Sequence, residues 1–422
     1  MEGTHYLPRL CDAQLKELLQ VSGAVLIEGA KWCGKTSSAC QAAGSAIFLQ
    51  DPDRRSAYIH MADTQPSLLL QGASPRLIDE WQDAPVVWDA VRFEVDRRQQ
   101  AGQFILTGSA VPRDDEIRHS GAGRIARMIM RPMSLFESRE SSACVSIGAL
   151  LNGESVEGGV SGVSLEQTAH LICRGGWPAA VSMNPRASLY TARNYVDAII
   201  NSDGSRVAGM DKNPDRMRVL LRSLSRNIST LATAKTIIDD VAANELSMSE
   251  KTYTTYLNAL RRIFVVEDMP AWQPSLRSKT AIRTSLKRHF VDPSIAAAVL
   301  RMKPSALLED FELFGLLFES LCARDLRIYA QANDATVYHY RDKSGLEADM
   351  ILQCADGRWG AMEVKLGAKQ ADIAAANLLK LRQKVETARM GEPAFLMVIT
   401  AGEYAYRRPD GVMIAPLATL RP

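Results

Sequence analysis

A segment near the amino end of the chain has the residue types that bind a triphosphate. Residues 29–36 read GAKWCGKT and fit the pattern GxxxxGK[ST]. Glycines let backbone amides surround phosphate oxygens, and a following helix adds positive potential at its N-terminus. Lys35 is expected to contact the β- and γ-phosphates, and Thr36 to ligate Mg²⁺. The residues expected to line ATP are Gly29, Ala30, Lys31, Trp32, Cys33, Gly34, Lys35, Thr36 and Ser37.

Two carboxylates follow a later apolar strand and could complete a hydrolytic centre. Asp79 is expected to hold Mg²⁺, directly or through water, and Glu80 to polarise the attacking water. Thr107, or alternatively Ser109, ends the next strand and could sense the γ-phosphate. Taken alone, Asp-Glu after a strand could equally begin a helix, and the phosphate-binding segment favours the catalytic interpretation.

A second set of chemistry-bearing residues lies near the carboxyl end. A hairpin folded about the turn signal Asp356-Gly357 would set Asp349 opposite Glu363, with Lys365 on the same face. Glu347 would share that face if the hairpin is regular. Two carboxylates and a lysine in this arrangement are typical of restriction-type nucleases, in which the carboxylates bind Mg²⁺. The alternatives are a solvated strand face and a domain that grips DNA without cutting it.

The elements that would position the first set alternate between short apolar strands and helices. The pattern predicts a helix over 12–22 and strands over 24–27, 46–49, 75–80 and 103–107. This order predicts an α/β unit with a parallel sheet that ends near Glu140.

A glycine-rich stretch, 152–164, is the best linker candidate, and a mostly helical region follows. Helices over 234–241 and 249–260, with a small hairpin of 263–266 and 270–272, would give winged-helix order. The last unit, from about 305, should begin with a helix near 311–326 and contain strands and a long helix over 370–389.

Overall charge does not identify a partner, but local charge favours DNA. The 422 residues carry 50 basic and 48 acidic side chains, a net charge of +2. The segments 206–226 and 261–303 nevertheless have basic excesses of +4 and +6, with Tyr253, Tyr256 and Trp272 nearby. Backbone tracking on DNA is favoured over sequence reading. The alternative is that the winged-helix region only packs or oligomerises.

The composition indicates a globular protein of two to three domains. Hydrophobic residues make up 46% of the chain, which excludes a disordered or fibrous protein. Seven scattered cysteines without a CxxC pair favour a reduced compartment, and no apolar run is long enough to cross a membrane. We therefore expect a cytoplasmic protein without a membrane partner.

Several short motifs resemble a prokaryotic AAA-type ATPase family. They lie, in order, at 6–9, 29–37, 77–82, 104–109, 122–124, 131–135, 175–178 and 290–293. In that family the ATPase is followed by a domain of unknown function and a restriction-endonuclease-like C-terminus. The loop residues 30–33, Ala-Lys-Trp-Cys, differ from the more common Pro-Arg-Gln-Val.

The resemblance also implies an assembly and two further site residues. It implies a homo-oligomeric ring with nucleotide between subunits. Arg124 would then be the arginine finger that acts on a neighbour's nucleotide, with Arg127 as the alternative. Glu319 matches the family's helical carboxylate in the nuclease-like site.

Together these observations predict three units: an AAA-type P-loop ATPase at 1–140, a helical, winged-helix-like region at 141–304 and an α/β restriction-endonuclease-like domain at 305–422. The leading functional hypothesis is an oligomeric ATPase that remodels or translocates on duplex or branched DNA, with the last domain gripping or cutting it. The alternative is a nucleotide-gated switch ATPase, in defence or toxin–antitoxin regulation, that acts through a protein partner.

Overall fold

A five-stranded parallel sheet forms the first unit of the computed structural model, which describes residues 6–110, 121–203, 213–243, 247–275, 282 and 284–422. The strand order is β2-β3-β4-β1-β5, so β1 lies between β4 and β5. The strands are β1 (Ala24–Glu28), β2 (Ser45–Phe48), β3 (Arg76–Asp79), β4 (Phe104–Gly108) and β5 (Ile125–Ile129). All four strands predicted for this sheet are present within one or two residues of their expected bounds, and β5 is an additional strand.

Helices cover both faces of this sheet because its strands are apolar on both sides. Leu26, Ile78 and Leu106 pack on one face, and Val25 and Ile105 pack on the other. The α-helices of this unit are α1 (Cys11–Val21), α2 (Lys35–Ala42), α3 (Arg55–Thr64) and α4 (Val86–Arg98), with 3₁₀ turns at Pro66–Leu68 and Trp81–Asp83. The prediction of a parallel sheet with helices on both faces is therefore confirmed.

The middle of the chain is mostly helical, as predicted. Its helices are α5 (Ile147–Leu151), α6 (Leu165–Arg174), α7 (Pro178–Val181), α8 (Pro185–Ala198), α9 (Pro214–Arg226), α10 (Ala234–Ala242), α11 (Glu250–Arg262), α12 (Pro293–Val299) and α13 (Pro304–Leu307), with a π-helical turn at Ile199–Asp203. The predicted hairpin, which paired 263–266 with 270–272, is wrong because each segment bridges to a different part of the chain. Val266 bridges to Phe290 and Met269 to Lys287, whereas Ala271 bridges to His339 of the last unit.

The last unit is built on a seven-stranded mixed sheet. Its order is β7-β12-β13-β11-β10-β9-β8, and a separate parallel pair joins β6 to β14. The strands are β6 (Val145–Ser146), β7 (Gly159–Val160), β8 (Ala335–Arg341), β9 (Glu347–Cys354), β10 (Trp359–Lys365), β11 (Phe395–Thr400), β12 (Tyr404–Arg407), β13 (Met413–Pro416) and β14 (Leu420–Arg421).

Three helices accompany this sheet, and the longest covers one face of it. They are α14 (Phe311–Ala332), α15 (Ala371–Lys384) and α16 (Thr387–Met390), with 3₁₀ turns at Ala368–Gln370 and Leu417–Thr419. Helix α14 runs six residues past its predicted end. The predicted helix over 370–389 is instead two helices, because Val385 takes an extended conformation at the end of α15.

The glycine-rich stretch is more than a linker. Its β7 pairs with β12, and the preceding β6 pairs with the carboxyl-terminal β14. The middle of the chain thus supplies two strands to the last unit. No helix in the described part of the chain combines the length and the apolar composition needed to cross a membrane.

Candidate functional site

The phosphate-binding segment forms a loop between β1 and α2. Gly29 (φ 155°) has no room for a side chain, since a Cβ there would lie 2.1 Å from the carbonyl oxygen of Met130. Trp32 (φ 64°) and Gly34 (φ 106°) also have positive φ, and α2 begins at Lys35. The loop therefore places its backbone at the N-terminus of a helix, as anion binding requires.

Lys35 is buried beneath this loop. Its ammonium donates to the carbonyl oxygens of Gly29 (2.8 Å) and Ala30 (2.9 Å). Arg9, which the motif analysis did not treat as a site residue, donates to the carbonyl of Cys33 (2.7 Å) and pairs with the buried Glu137 (3.0 Å). Two buried cations, Lys35 and Arg9, therefore hold the loop through hydrogen bonds to its carbonyl groups.

Asp79 ends β3 and lies beside the loop. The hydroxyl groups of Thr36 and Thr107 both donate to Asp79 Oδ1, at 2.7 and 2.6 Å. Burial raises the pKa of Asp79, while these two hydrogen bonds act in the opposite direction. The hydroxyl of Thr36 and the carboxylate of Asp79 form the oxygen-rich pair that Mg²⁺ prefers, so these residues fit the ion.

Glu80 follows Asp79 in the left-handed conformation (φ 55°). Its backbone amide donates to the Thr107 hydroxyl (3.1 Å), and its carboxylate accepts from Ser109 (2.8 Å) and from the Gln82 amide. Ser109 follows β4, which lies between the strand of Glu80 and that of the loop. The carboxylate is therefore held toward the phosphate-binding loop.

Arg124 does not reach this site within one chain. Its carbonyl accepts from Ala24 at the amino end of β1, whereas the loop follows the carboxyl end of that strand. The half-exposed Arg124 guanidinium pairs with Asp96 (2.9 Å). The alternative, Arg127, pairs with Glu28 (3.4 Å) and lies over the Trp88 ring. An action of Arg124 on a neighbouring subunit stays a prediction.

The loop also touches the middle of the chain. The Trp32 ring is 49% exposed and lies 5.4 Å from the Tyr195 ring of α8, which in turn lies 4.5 Å from Trp177. The Trp177 indole donates to Ser294 (3.0 Å) at the start of α12. A row of aromatic rings therefore connects the phosphate-binding loop to the helical region.

The carboxylates near the carboxyl end converge as the hairpin symmetry predicts. Met350 pairs with Met362, a register that sets Asp349 opposite Glu363. Lys365 lies 3.0 Å from Glu363 and 3.6 Å from Asp349. Glu347 does not join them, because a β-bulge between Tyr338 and Tyr340 interrupts the pairing of β8 with β9. Glu347 instead pairs with Arg341 at the surface.

A lysine that was not predicted as a site residue pairs with two carboxylates of this cluster. Lys287 Nζ lies 2.5 Å from Glu319 and 3.1 Å from Asp349. Burial alone would lower the pKa of Lys287, but these two carboxylates outweigh it and raise the pKa, so the ammonium stays charged. Burial raises the pKa of Glu363, which Lys365 opposes.

The predicted Mg²⁺ ligands Asp349 and Glu363 therefore do not fit the ion in this arrangement. Their carboxylates are paired with ammonium groups, and a divalent cation next to Lys287 would be repelled. Among the residues that the structure describes, no group of three or more His, Cys, Asp or Glu side chains is arranged to hold a metal. The residues predicted for the nuclease-like site are brought together, but Lys287 and Lys365 both pair with Asp349, and Lys365 also pairs with Glu363.

The structure also corrects the expected DNA surface. Tyr253, Tyr256 and Trp272 are all buried in hydrophobic cores, so their rings do not face solvent. Several basic residues counted there have carboxylate partners, namely Arg218, Arg226, Arg261, Lys287 and Arg288. Arg222, Arg301 and Lys303 are exposed. Five basic residues of the count, at 206, 212, 277, 279 and 283, lie outside the described residues.

Three protein families match successive parts of the chain. Residues 21–138 match the AAA domain family. Residues 165–306 match a domain of unknown function, DUF8612, and residues 314–420 match a second one, DUF4143.

Individual relatives are more distant. An uncharacterized protein of Mycobacterium tuberculosis, Rv2008c, is 24% identical over 362 residues, which cover 84% of this chain and 72% of the relative. The uncharacterized protein Mb2031c of Mycobacterium bovis matches to the same extent. Their names assign no activity.

Two solved structures show only a loose resemblance. The Walker-type ATPase PABY2304 of Pyrococcus abyssi has 13% identity and a TM-score of 0.42, over 68% of this chain and 94% of that one. The signal-transduction ATPase PH0952 of Pyrococcus horikoshii has 14% identity and a TM-score of 0.21, over 78% and 50% of the two chains. The identification rests on the family matches and on the parallel sheet. The chain contains an AAA-type P-loop ATPase domain at residues 21–138 and a C-terminal domain of unknown function at residues 314–420.

Proposed function

We propose that the chain hydrolyses ATP at the site formed by residues 29–37, Asp79 and Glu80, and that hydrolysis drives rearrangement of the downstream regions on DNA. The observation that carries the catalytic part is the contact of Thr36 with Asp79 beside a phosphate-binding loop. Bound Mg²⁺ would neutralise charge on the β- and γ-phosphates.

The roles of the side chains follow from their positions. Lys35 would leave the carbonyl groups of Gly29 and Ala30 to bind phosphate oxygens, since an ammonium is better paired with an anion. Thr36 and Asp79 would hold Mg²⁺. Glu80 would accept a proton from the attacking water while Ser109 and Gln82 fix its carboxylate.

DNA as the substrate is supported by the exposed basic residues Arg222, Arg301 and Lys303. The alternative, a nucleotide-gated switch that acts on a protein partner, is favoured by a different observation. The segment after α11 is hydrogen-bonded to β8 through the backbone. The His339 amide donates to the Pro270 carbonyl (3.0 Å), and the Trp272 amide donates to the His339 carbonyl (2.7 Å). A wing held in this way is less free to enter a DNA groove.

ATPase rates measured without DNA and with linear duplex, a fork or a four-way junction separate these two functions. A several-fold rise with any DNA supports the DNA-dependent ATPase. Equal rates under all four conditions contradict it and leave the switch. The Lys35→Ala protein serves as the control, because it lacks the ammonium that would bind the phosphates and should release phosphate much more slowly than the parent.

A further inference from the structure

The carboxylate cluster of the last unit contains its own cation. Its carboxylates come from three elements: Asp349 from β9, Glu363 from β10 and Glu319 from α14. Lys287 enters from the segment that precedes α12 and is 89% buried. The cluster therefore combines carboxylates of one domain with a lysine that lies outside that domain in sequence.

The backbone holds Lys287 in this place. Lys287 and Met269 exchange two hydrogen bonds, of 2.8 and 2.9 Å. The segment that contains Met269 is joined to β8, because the His339 backbone amide donates to the Pro270 carbonyl. The His339 ring nitrogen Nε2 also lies 2.8 Å from the Ser285 carbonyl oxygen. Lys287 thus has little freedom to swing away, because both its own segment and the segment beside it are tied to the last sheet.

Both oxygens of Asp349 and one oxygen of Glu319 have ion-pair or hydrogen-bond partners, whereas Glu363 Oε1 is buried without a hydrogen-bond partner. Lys287 contacts Glu319 and one oxygen of Asp349. The other oxygen of Asp349 accepts from the Val364 amide (2.9 Å) and lies near Lys365. A divalent ion needs several oxygen atoms at about 2.0–2.6 Å, and it would have to displace an ammonium to obtain them.

We propose that Lys287 is an internal counter-ion that closes the Asp349–Glu319–Glu363 cluster to divalent cations and fastens the preceding segment to the last domain. The DUF4143 region is then metal-free as folded. Metal-dependent cleavage by this domain is not expected while Lys287 is in place. Removal of the ammonium leaves three carboxylates and one lysine, a set that attracts a divalent cation.

Mn²⁺ binding without nucleotide tests this proposal, measured by titration calorimetry and by the electron paramagnetic resonance signal of free Mn²⁺. All proteins carry Asp79→Asn, which removes the carboxylate of the two predicted metal ligands, Thr36 and Asp79, in the ATPase site. The parent should show no Mn²⁺ site that depends on Asp349. Lys287→Met should gain one site, at least about tenfold tighter than any in the parent, because a like charge has been removed.

Two further variants make the result specific. Adding Asp349→Asn to Lys287→Met should abolish the new site. The matched control Lys343→Met removes an exposed lysine of the neighbouring turn and should bind Mn²⁺ as the parent does. A rise in the Tm of Lys287→Met with Mn²⁺, absent in the parent, would give independent support.

Two results would overturn the proposal. One is a Mn²⁺ site in the parent that Asp349→Asn removes, which would mean that metal and Lys287 coexist. The other is a folded Lys287→Met protein that gains no site. If Lys287→Met does not fold, the parent and its Asp349→Asn variant still test the proposal, because tighter Mn²⁺ binding by the parent would contradict a cluster closed to divalent cations.

Discussion

At the scale of single residues, the proposed hydrolysis depends on the orientation of the Glu80 carboxylate. Glu80 is held by Ser109 and Gln82, two side chains that follow different strands. Its backbone amide is fixed separately by Thr107. Thr107 therefore orients the backbone of Glu80 and contacts Asp79, whereas Ser109 contacts the Glu80 carboxylate that we propose as the base.

Ser109→Ala should lower kcat about fivefold, the equivalent of one hydrogen bond of about 1 kcal/mol, without changing the Kd for MgATP. The reason is that Ser109 positions Glu80 and is not expected to bind the ground-state nucleotide. Ser109→Thr keeps the hydroxyl and should restore most of kcat. A parallel loss of nucleotide affinity in Ser109→Ala would mean that the serine contacts phosphate instead.

The strand, loop and helix that form the phosphate-binding segment could be predicted because the motif is local. The loop sequence, its preceding strand and its following helix are continuous in the chain, so their geometry follows from glycine placement and helix polarity. Arg9 and Lys287 could not be found in this way. Each meets its partners more than twenty residues away in sequence, and nothing in the surrounding pattern indicates those partners.

At the scale of elements, a buried charged network joins the three regions. Asp292 accepts from the Gly176 amide (2.9 Å) and from Arg324 of α14 (3.0 Å). Arg324 also pairs with Asp325, whose carboxylate accepts from the Leu135 amide (2.9 Å). The network therefore connects the end of the ATPase region, the helical region and the last domain.

Asp292→Ala should destabilise the protein by about 3–5 kcal/mol, because it leaves Arg324 buried without one of its two carboxylates. Chemical denaturation with urea measures this change. Asp63→Ala, at an exposed position of α3, is the control and should change the free energy of unfolding by less than about 0.5 kcal/mol. Equal effects of the two substitutions would contradict a stabilising role for the network.

A second connection between elements is the row of rings from Trp32 to Tyr195 and Trp177. Because Trp32 belongs to the phosphate-binding loop, MgATP should alter its surroundings. We expect a nucleotide-dependent change of tryptophan fluorescence that is lost in Trp32→Phe and kept in Trp272→Phe. A change that persists undiminished in Trp32→Phe would show that the loop residue does not report the nucleotide.

The sequence predicted the helical character of the middle region and the bounds of two of its helices, but not the faces that they bury. The helices over 234–242 and 250–262 were expected, yet Tyr253 and Tyr256 face a core and not a DNA surface. Helical periodicity identifies an apolar face but does not tell whether aromatic residues on it meet protein or ligand. Met269 and Lys287 are too far apart in the chain for a local turn signal to predict their pairing.

At the scale of the whole molecule, the predicted role of Arg124 as an arginine finger requires an assembly. This residue lies at the end of the sheet opposite the phosphate-binding loop, so it could act only on another subunit. If it does so, Arg124→Ala should lower ATP turnover by about 10³-fold or more. Arg97→Ala, at an exposed arginine of α4, is the control and should retain turnover.

Mixing two inactive variants tests action between subunits directly. Arg124→Ala subunits keep Glu80, and Glu80→Gln subunits keep Arg124. Mixed assemblies should therefore regain turnover at interfaces that combine an intact Glu80 with a neighbour's Arg124. Full activity of Arg124→Ala alone would contradict this role, and so would an inactive mixture of subunits shown to associate.

The most direct measurement is of MgATP binding and phosphate release by the unaltered protein and by Glu80→Gln. We predict that both bind MgATP with similar Kd, and that Glu80→Gln releases phosphate at least about 100-fold more slowly because it lacks the base. Equal turnover by the two proteins, or an unaltered protein that does not bind MgATP, would contradict hydrolysis at this site.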